Sequence, residues 1–179
     1  MGDIRGPYQD VISYFGYATA DKFDEVVDNK KMYYIYIWIP AIAPEIGARM
    51  LSPVKEMAKP DPEKDFIDPA YTENAASDDF FDTWIKFERC LAAIVPEDIN
   101  KPCEKWVTFG NNDDSSELPA NPKGNKYNSV LRITSTPSDP LKAIVRGMYR
   151  IGFTTYKKGE VKGTFLAQIG AIAGIQIYM

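Results

Sequence analysis

The stretch KMYYIYIWIP, residues 31–40, constrains the fold more than any other part of this chain. Successive side chains of a β-strand point to opposite faces. Tyr33, Ile35, Ile37 and Ile39 therefore share one face, and Tyr34, Tyr36 and Trp38 share the other. Both faces are apolar or aromatic, which predicts a strand in the centre of a sheet. Pro40 and Pro44 then interrupt the ladder, because proline has no N–H to donate.

Other segments carry the same period. YQDVISYFGY (residues 8–17) is an aromatic strand ending near Gly16. A polar stretch with turn character at Asp28-Asn29 separates it from 31–40. EIGARMLS (45–52) suits a strand or a helical turn, the strand being favoured. FDTWIKFER (81–89) sets Phe81, Thr83, Ile85 and Phe87 against Asp82, Trp84, Lys86 and Glu88. KWVTF (105–109) and NKYNSVLRITS (125–135) are further strands. Residues 147–169 form two alternating runs around KKGE, with Gly159 able to supply positive φ, and predict a hairpin.

Three segments interrupt this pattern. Residues 53–80, rich in Pro, Asp, Glu and Lys, predict a long surface loop with one helical turn. PEDINKPCE predicts a short helix from Pro96 to Pro102. SDPLKAIV suits a helical turn or a crossover. Short strands, irregular spacing and no helical period predict an all-β fold: one β-sandwich domain of jelly-roll type over residues 1–179, with a few short helices in its connections. A content of 13% aromatic residues, eleven of them tyrosines, agrees with that class.

Composition narrows function. The chain has no histidine, which removes Ser-His and Cys-His nucleophiles, His-ligated zinc and the usual neutral-pH base. A net charge of −4 gives no basic face for nucleic acid and no attraction to anionic lipid. The apolar end from Phe165 to Met179 is too short and too interrupted to span a bilayer. The opening MGDIRG carries no signal-peptide pattern and reads as an already processed start. Cys90 and Cys103 either form one disulfide or remain two buried thiols.

GNNDDSSELP (110–119) places Asp113 beside Asp114 in a turn. Adjacent carboxylates repel, so either water screens them or a cation lies between them. Asp82, at the start of the 81–89 strand, is a second acidic element. Calcium takes about six to eight oxygens, and one strand end plus an acidic loop can supply them. The stretch is not an EF-hand loop and lacks the Lys-Ser/Thr ending of a phosphate-binding loop. Asp82 and Asp113 as an acid–base pair for glycoside cleavage is a further reading, although nothing in the sequence sets their separation. An exposed platform from Tyr33, Tyr34, Tyr36 and Trp38 would instead make a carbohydrate-binding module.

Beyond these physical signals, YFGY, NKKMYYIYIWIPAIAPEIGARMLSP, FDTWIKFER, NKYNSVLRI and VRGMYRIGFTTYKKGEVKGTF occur in order over most of residues 13–169. Together they resemble the major outer-membrane surface lipoprotein family of the spirochaete Leptospira. The resemblance implies a jelly-roll domain of a lipid-anchored protein at the cell envelope, outer membrane or cell surface. It implies calcium (Ca2+) held by Asp82, Thr83, Asp113, Asp114 and Tyr127, the last through a backbone carbonyl. It also implies a structural or adhesive role without catalysis, with extracellular-matrix or other surface proteins as partners. Contact with the membrane is expected only through a lipid anchor outside this chain, and an apolar hairpin edge suits a homodimer. The family's acidic loop carries a longer aspartate run than Asn111-Asn112-Asp113-Asp114, so weaker calcium affinity is expected here. The family also has a Lys- and Ala-rich adhesive tail, whereas this chain ends at Met179 in an apolar segment. The two cysteines fall outside the family pattern.

Overall fold

The computed structural model describes residues 8–121, 124–156 and 159–172. Ten strands form two five-stranded sheets. The strands are β1 Tyr8–Ala18, β2 Glu25–Val27, β3 Lys30–Ile39, β4 Glu45–Leu51, β5 Phe66–Ile67, β6 Thr83–Cys90, β7 Trp106–Asn112, β8 Ser129–Thr134, β9 Gly147–Thr155 and β10 Gly163–Ile172. One sheet runs β5-β1-β10-β4-β8 and the other β2-β3-β9-β6-β7. Without the short strands β2 and β5, these are the two four-stranded sheets of a jelly roll. The helix α1, Pro69–Asn74, lies in the long loop, N-capped by Asp68 accepting from Ala70 N–H.

Alternation places the core between the sheets. Tyr33, Ile35, Ile37 and Ile39 of β3 meet Ile46, Ala48 and Met50 of β4, together with Tyr149, Ile151 and Phe153 of β9 and Phe165, Ala167 and Ile169 of β10. Stacked rings run through this layer, with Phe87 5.2 Å from Tyr149 and Tyr33 5.2 Å from Phe153. A second core lies outside the first sheet, where Val54 of the long loop, Tyr71 of α1 and Leu118 of the connection from β7 to β8 cover Phe15, Leu51, Val130 and Leu166.

Four expectations need correction. The two alternating runs of residues 147–169 do not pair with each other. β9 lies between β3 and β6, and β10 lies between β1 and β4, in the other sheet. Gly159 does take positive φ (110°), but the chain crosses between sheets there, and alternation carries no information about partners. Of the turn KKGE, residues 157 and 158 lie outside the described residues.

β3 is not central either. Its outer neighbour β2 pairs only along Lys30–Met32, so most of β3 is an edge. Its second face is apolar because a different layer covers part of it. The helix expected over Pro96–Pro102 is a 3-10 turn, Pro96–Asp98. The strand expected from Asn125 begins only at Ser129.

Other readings hold. Asp28 and Asn29 have φ of 50° and 62°, the double left-handed turn that joins twisted strands such as β2 and β3. Residues 138–145 are the crossover alternative, carrying the chain from β8 to β9 in the opposite sheet. Cys90 and Cys103 form a disulfide, with Cα atoms 6.0 Å apart.

Candidate metal centre

β6 begins at Thr83, directly after Asp82, whose carbonyl accepts from Tyr156 N–H at 3.0 Å. Thr83 is fully buried and inward-facing. Its N–H and its hydroxyl both approach the Tyr127 carbonyl, at 3.0 and 2.9 Å. The Thr83 hydroxyl also lies 2.7 Å from Ser129 Oγ. Ser129 Oγ in turn contacts the Thr83 carbonyl at 2.6 Å and the Asp113 carbonyl. Thr83, Asp113 and Tyr127, drawn from three separate segments, thus share one node built around Ser129.

Counting hydrogens shows what this node favours. Four oxygen–oxygen contacts meet at two hydroxyls, which own two hydrogens. At most two of the four contacts are two-centre hydrogen bonds, and the others share a hydrogen or have none. A cluster richer in acceptors than in donors suits a hard cation.

The acidic turn is positioned by polar anchors on both sides. Asn112 Nδ2 donates to the Val130 carbonyl at 2.6 Å, and Asn112 Oδ1 accepts from Asp113 N–H at 3.0 Å. Ser115 N–H donates to the Asn128 carbonyl at 3.0 Å. The fully buried Asn128 side chain accepts from Ser52 N–H at 2.9 Å and donates to the Pro119 carbonyl at 2.9 Å. Leu118 is embedded in the second core. Glu117 and Arg132 form a two-pronged ion pair at 2.9 and 2.7 Å, which holds the Glu117 carboxyl below the usual carboxylate range.

Asp82 and Asp113 are half-buried, and Asp114 is exposed. Among the described residues no three His, Cys, Asp or Glu side chains are grouped so as to hold a metal ion. What converges is the neutral oxygen framework, to which Asp113 contributes its backbone carbonyl.

Asn128 and Ser129 were missed by sequence reasoning. Their only signal was a polar pair directly before the apolar run VLRI, which also occurs in ordinary strand starts.

The alternative of an exposed aromatic platform on β3 does not hold. Tyr33 and Trp38 are buried, at 5% and 7% exposure. Tyr34 and Tyr36 point outward but are inclined to each other by 48°.

The architecture defines a jelly-roll β-sandwich protein. No helix among the described residues is long and apolar enough to cross a membrane. A family model described as Lipl32, a surface lipoprotein of the Spirochaetales order, matches residues 2–177, and the chain belongs to that family. Membership assigns it to the cell surface. No curated protein matches the chain.

Proposed function

We propose that this protein is a calcium-binding surface lipoprotein domain with a structural or adhesive role and no catalytic activity. The carrying observation is the acceptor-rich node joining Thr83, Asp113, Tyr127 and Ser129. Thr83 Oγ1 and the Tyr127 carbonyl offer neutral oxygens. Asp82, Asp113 and Asp114 offer the negative charge. A bound ion supplies charge neutralisation, which lets adjacent carboxylates lie together. An ion bound only by the folded state stabilises it by about 2.7 kcal/mol at a hundredfold excess over Kd. The fixed acidic turn beside the sandwich is the surface proposed to meet matrix or other surface proteins. The lack of histidine supports the non-catalytic part of this reading.

Thermal unfolding tests it, with calcium, magnesium and EDTA, on the native protein and an Asp113→Ala/Asp114→Ala variant. A Tm raised by calcium, unmoved by magnesium and insensitive to calcium in the variant supports the site. No response at millimolar calcium overturns it.

A further inference from the structure

The outer face of the β2-β3-β9-β6-β7 sheet holds a second group of residues, away from the acidic turn. Register sets Tyr36, Arg150 and Glu88 side by side across β3, β9 and β6. Arg150 is only 8% exposed. Its guanidinium lies 3.6 Å from the centre of the Tyr34 ring and 4.0 Å from that of Trp106. Its Nε donates to Glu88 at 2.7 Å. Glu25 is 3.7 Å from Nη2, beyond hydrogen-bond range. Among the described residues Arg150 makes no other hydrogen bond, so beyond its ion pair with Glu25 its terminal donors have no close acceptor.

Arg150 lines an open hollow of about 550 Å³, within the range of about 300–1,000 Å³ typical of small-molecule sites. Its other walls include Glu25, Tyr36, Asn100, Glu104 and Trp106. The wall carrying Asn100 and Glu104 belongs to the loop fastened by the Cys90–Cys103 disulfide. Tyr36 is 47% exposed, and its ring stands 6.1 Å from that of Trp106 at an angle of 50°.

This lining mixes hydrogen-bond donors and acceptors around two aromatic faces. A phosphate or sulfate would meet Glu25 and Glu104 as well as Arg150 and Lys101; the Lys101 ammonium is already held by Asp98 at 2.8 Å, and the two carboxylates oppose an anion. A purely apolar ligand would strand the arginine donors. A neutral pyranose ring meets neither objection. Its C–H face packs against an aromatic ring, and its hydroxyls both donate and accept. We infer that the hollow between Tyr36, Trp106 and Arg150 is a binding site for a neutral sugar ring. It stands independently of the calcium reading.

The test is NMR titration of the 15N-labelled, disulfide-intact protein. The probes are methyl β-galactoside, methyl α-mannoside and N-acetylglucosamine, with sodium sulfate and sodium acetate as anion controls. At least one sugar should give saturable shifts at millimolar concentration, centred on Tyr36, the Trp106 indole and Arg150. Tyr36→Ala should weaken it by about tenfold, the size of one aromatic contact. Glu104→Gln changes an exposed carboxylate with no partner among the described residues, cannot disturb the fold, and should also weaken it. Shifts from the anions alone overturn the proposal. So do sugar shifts that are absent, scattered over the surface or unchanged in both variants.

Discussion

Thr83 gives two hydrogens to one acceptor: its N–H and its hydroxyl both reach the Tyr127 carbonyl, at 3.0 and 2.9 Å. This pairing ties the start of β6 to the segment leading into β8, across 44 residues of sequence. Thr83→Val keeps the shape and removes the hydroxyl, leaving buried oxygens with fewer hydrogens. A loss of about 1–3 kcal/mol in denaturant unfolding is expected. The same variant should lose any calcium-dependent rise in Tm, and Thr83→Ser should keep it.

Glu88 and Arg150 form a buried ion pair at 2.7 Å, with Lys86 3.0 Å from the other Glu88 oxygen. Glu88→Leu removes the close carboxylate of both cations, leaving Arg150 only Glu25 at 3.7 Å, and should cost about 3–5 kcal/mol. A double Glu88→Leu/Arg150→Met variant should recover much of that loss. A double-mutant cycle by urea titration measures the difference. A double variant as unstable as the two singles added together would contradict the pairing.

The Cys90–Cys103 bridge closes a loop over a small apolar cluster of Trp38, Cys90, Ala93 and Met148. It spans 13 residues of sequence. Loop-closure entropy of that size corresponds to about 3 kcal/mol. Reduction with dithiothreitol, or Cys90→Ala/Cys103→Ala, should lower Tm without unfolding the protein at room temperature. Calorimetry with and without reductant checks this.

Three tyrosines set an alkaline limit. Burial pushes Tyr14, Tyr33 and Tyr149 each up to about 12. The Asp68 carboxylate that accepts from Tyr14 adds to its shift, and nearby acidic groups add to that of Tyr33. A free phenol titrates near 10. A raised folded value means that the stability contribution is complete below pH 10 and is lost as pH rises from about 10 through about 12. Absorbance at 295 nm should therefore show late phenol ionisation that coincides with loss of the near-ultraviolet dichroism. Full ionisation near pH 10 with the fold intact would refute it.

Period-two alternation was enough to read β3 and β6, because a side chain's face depends only on its position along its own strand. The site residues were legible through resemblance rather than through spacing. Nothing local to Thr83 says that Tyr127 and Asp113 will come within hydrogen-bond reach. The misread 147–169 hairpin has the same origin. Two alternating runs around a glycine look alike whether they pair or separate into different sheets. The apolar outer side of β3 was visible, but its cause was not, since Trp38 is covered by the loop that the disulfide fastens.

The sequence alone determined that this chain is an all-β sandwich without histidine chemistry, since pattern and composition are properties of the chain itself. Tertiary structure decided which strands neighbour one another, that Ser129 binds the acidic turn to β6 while Asn128 ties that turn to Ser52, and that Arg150 ends up between two aromatic rings. Those outcomes depend on contacts between residues tens of positions apart. Such contacts are selected by burial of the whole core, and no local pattern encodes them.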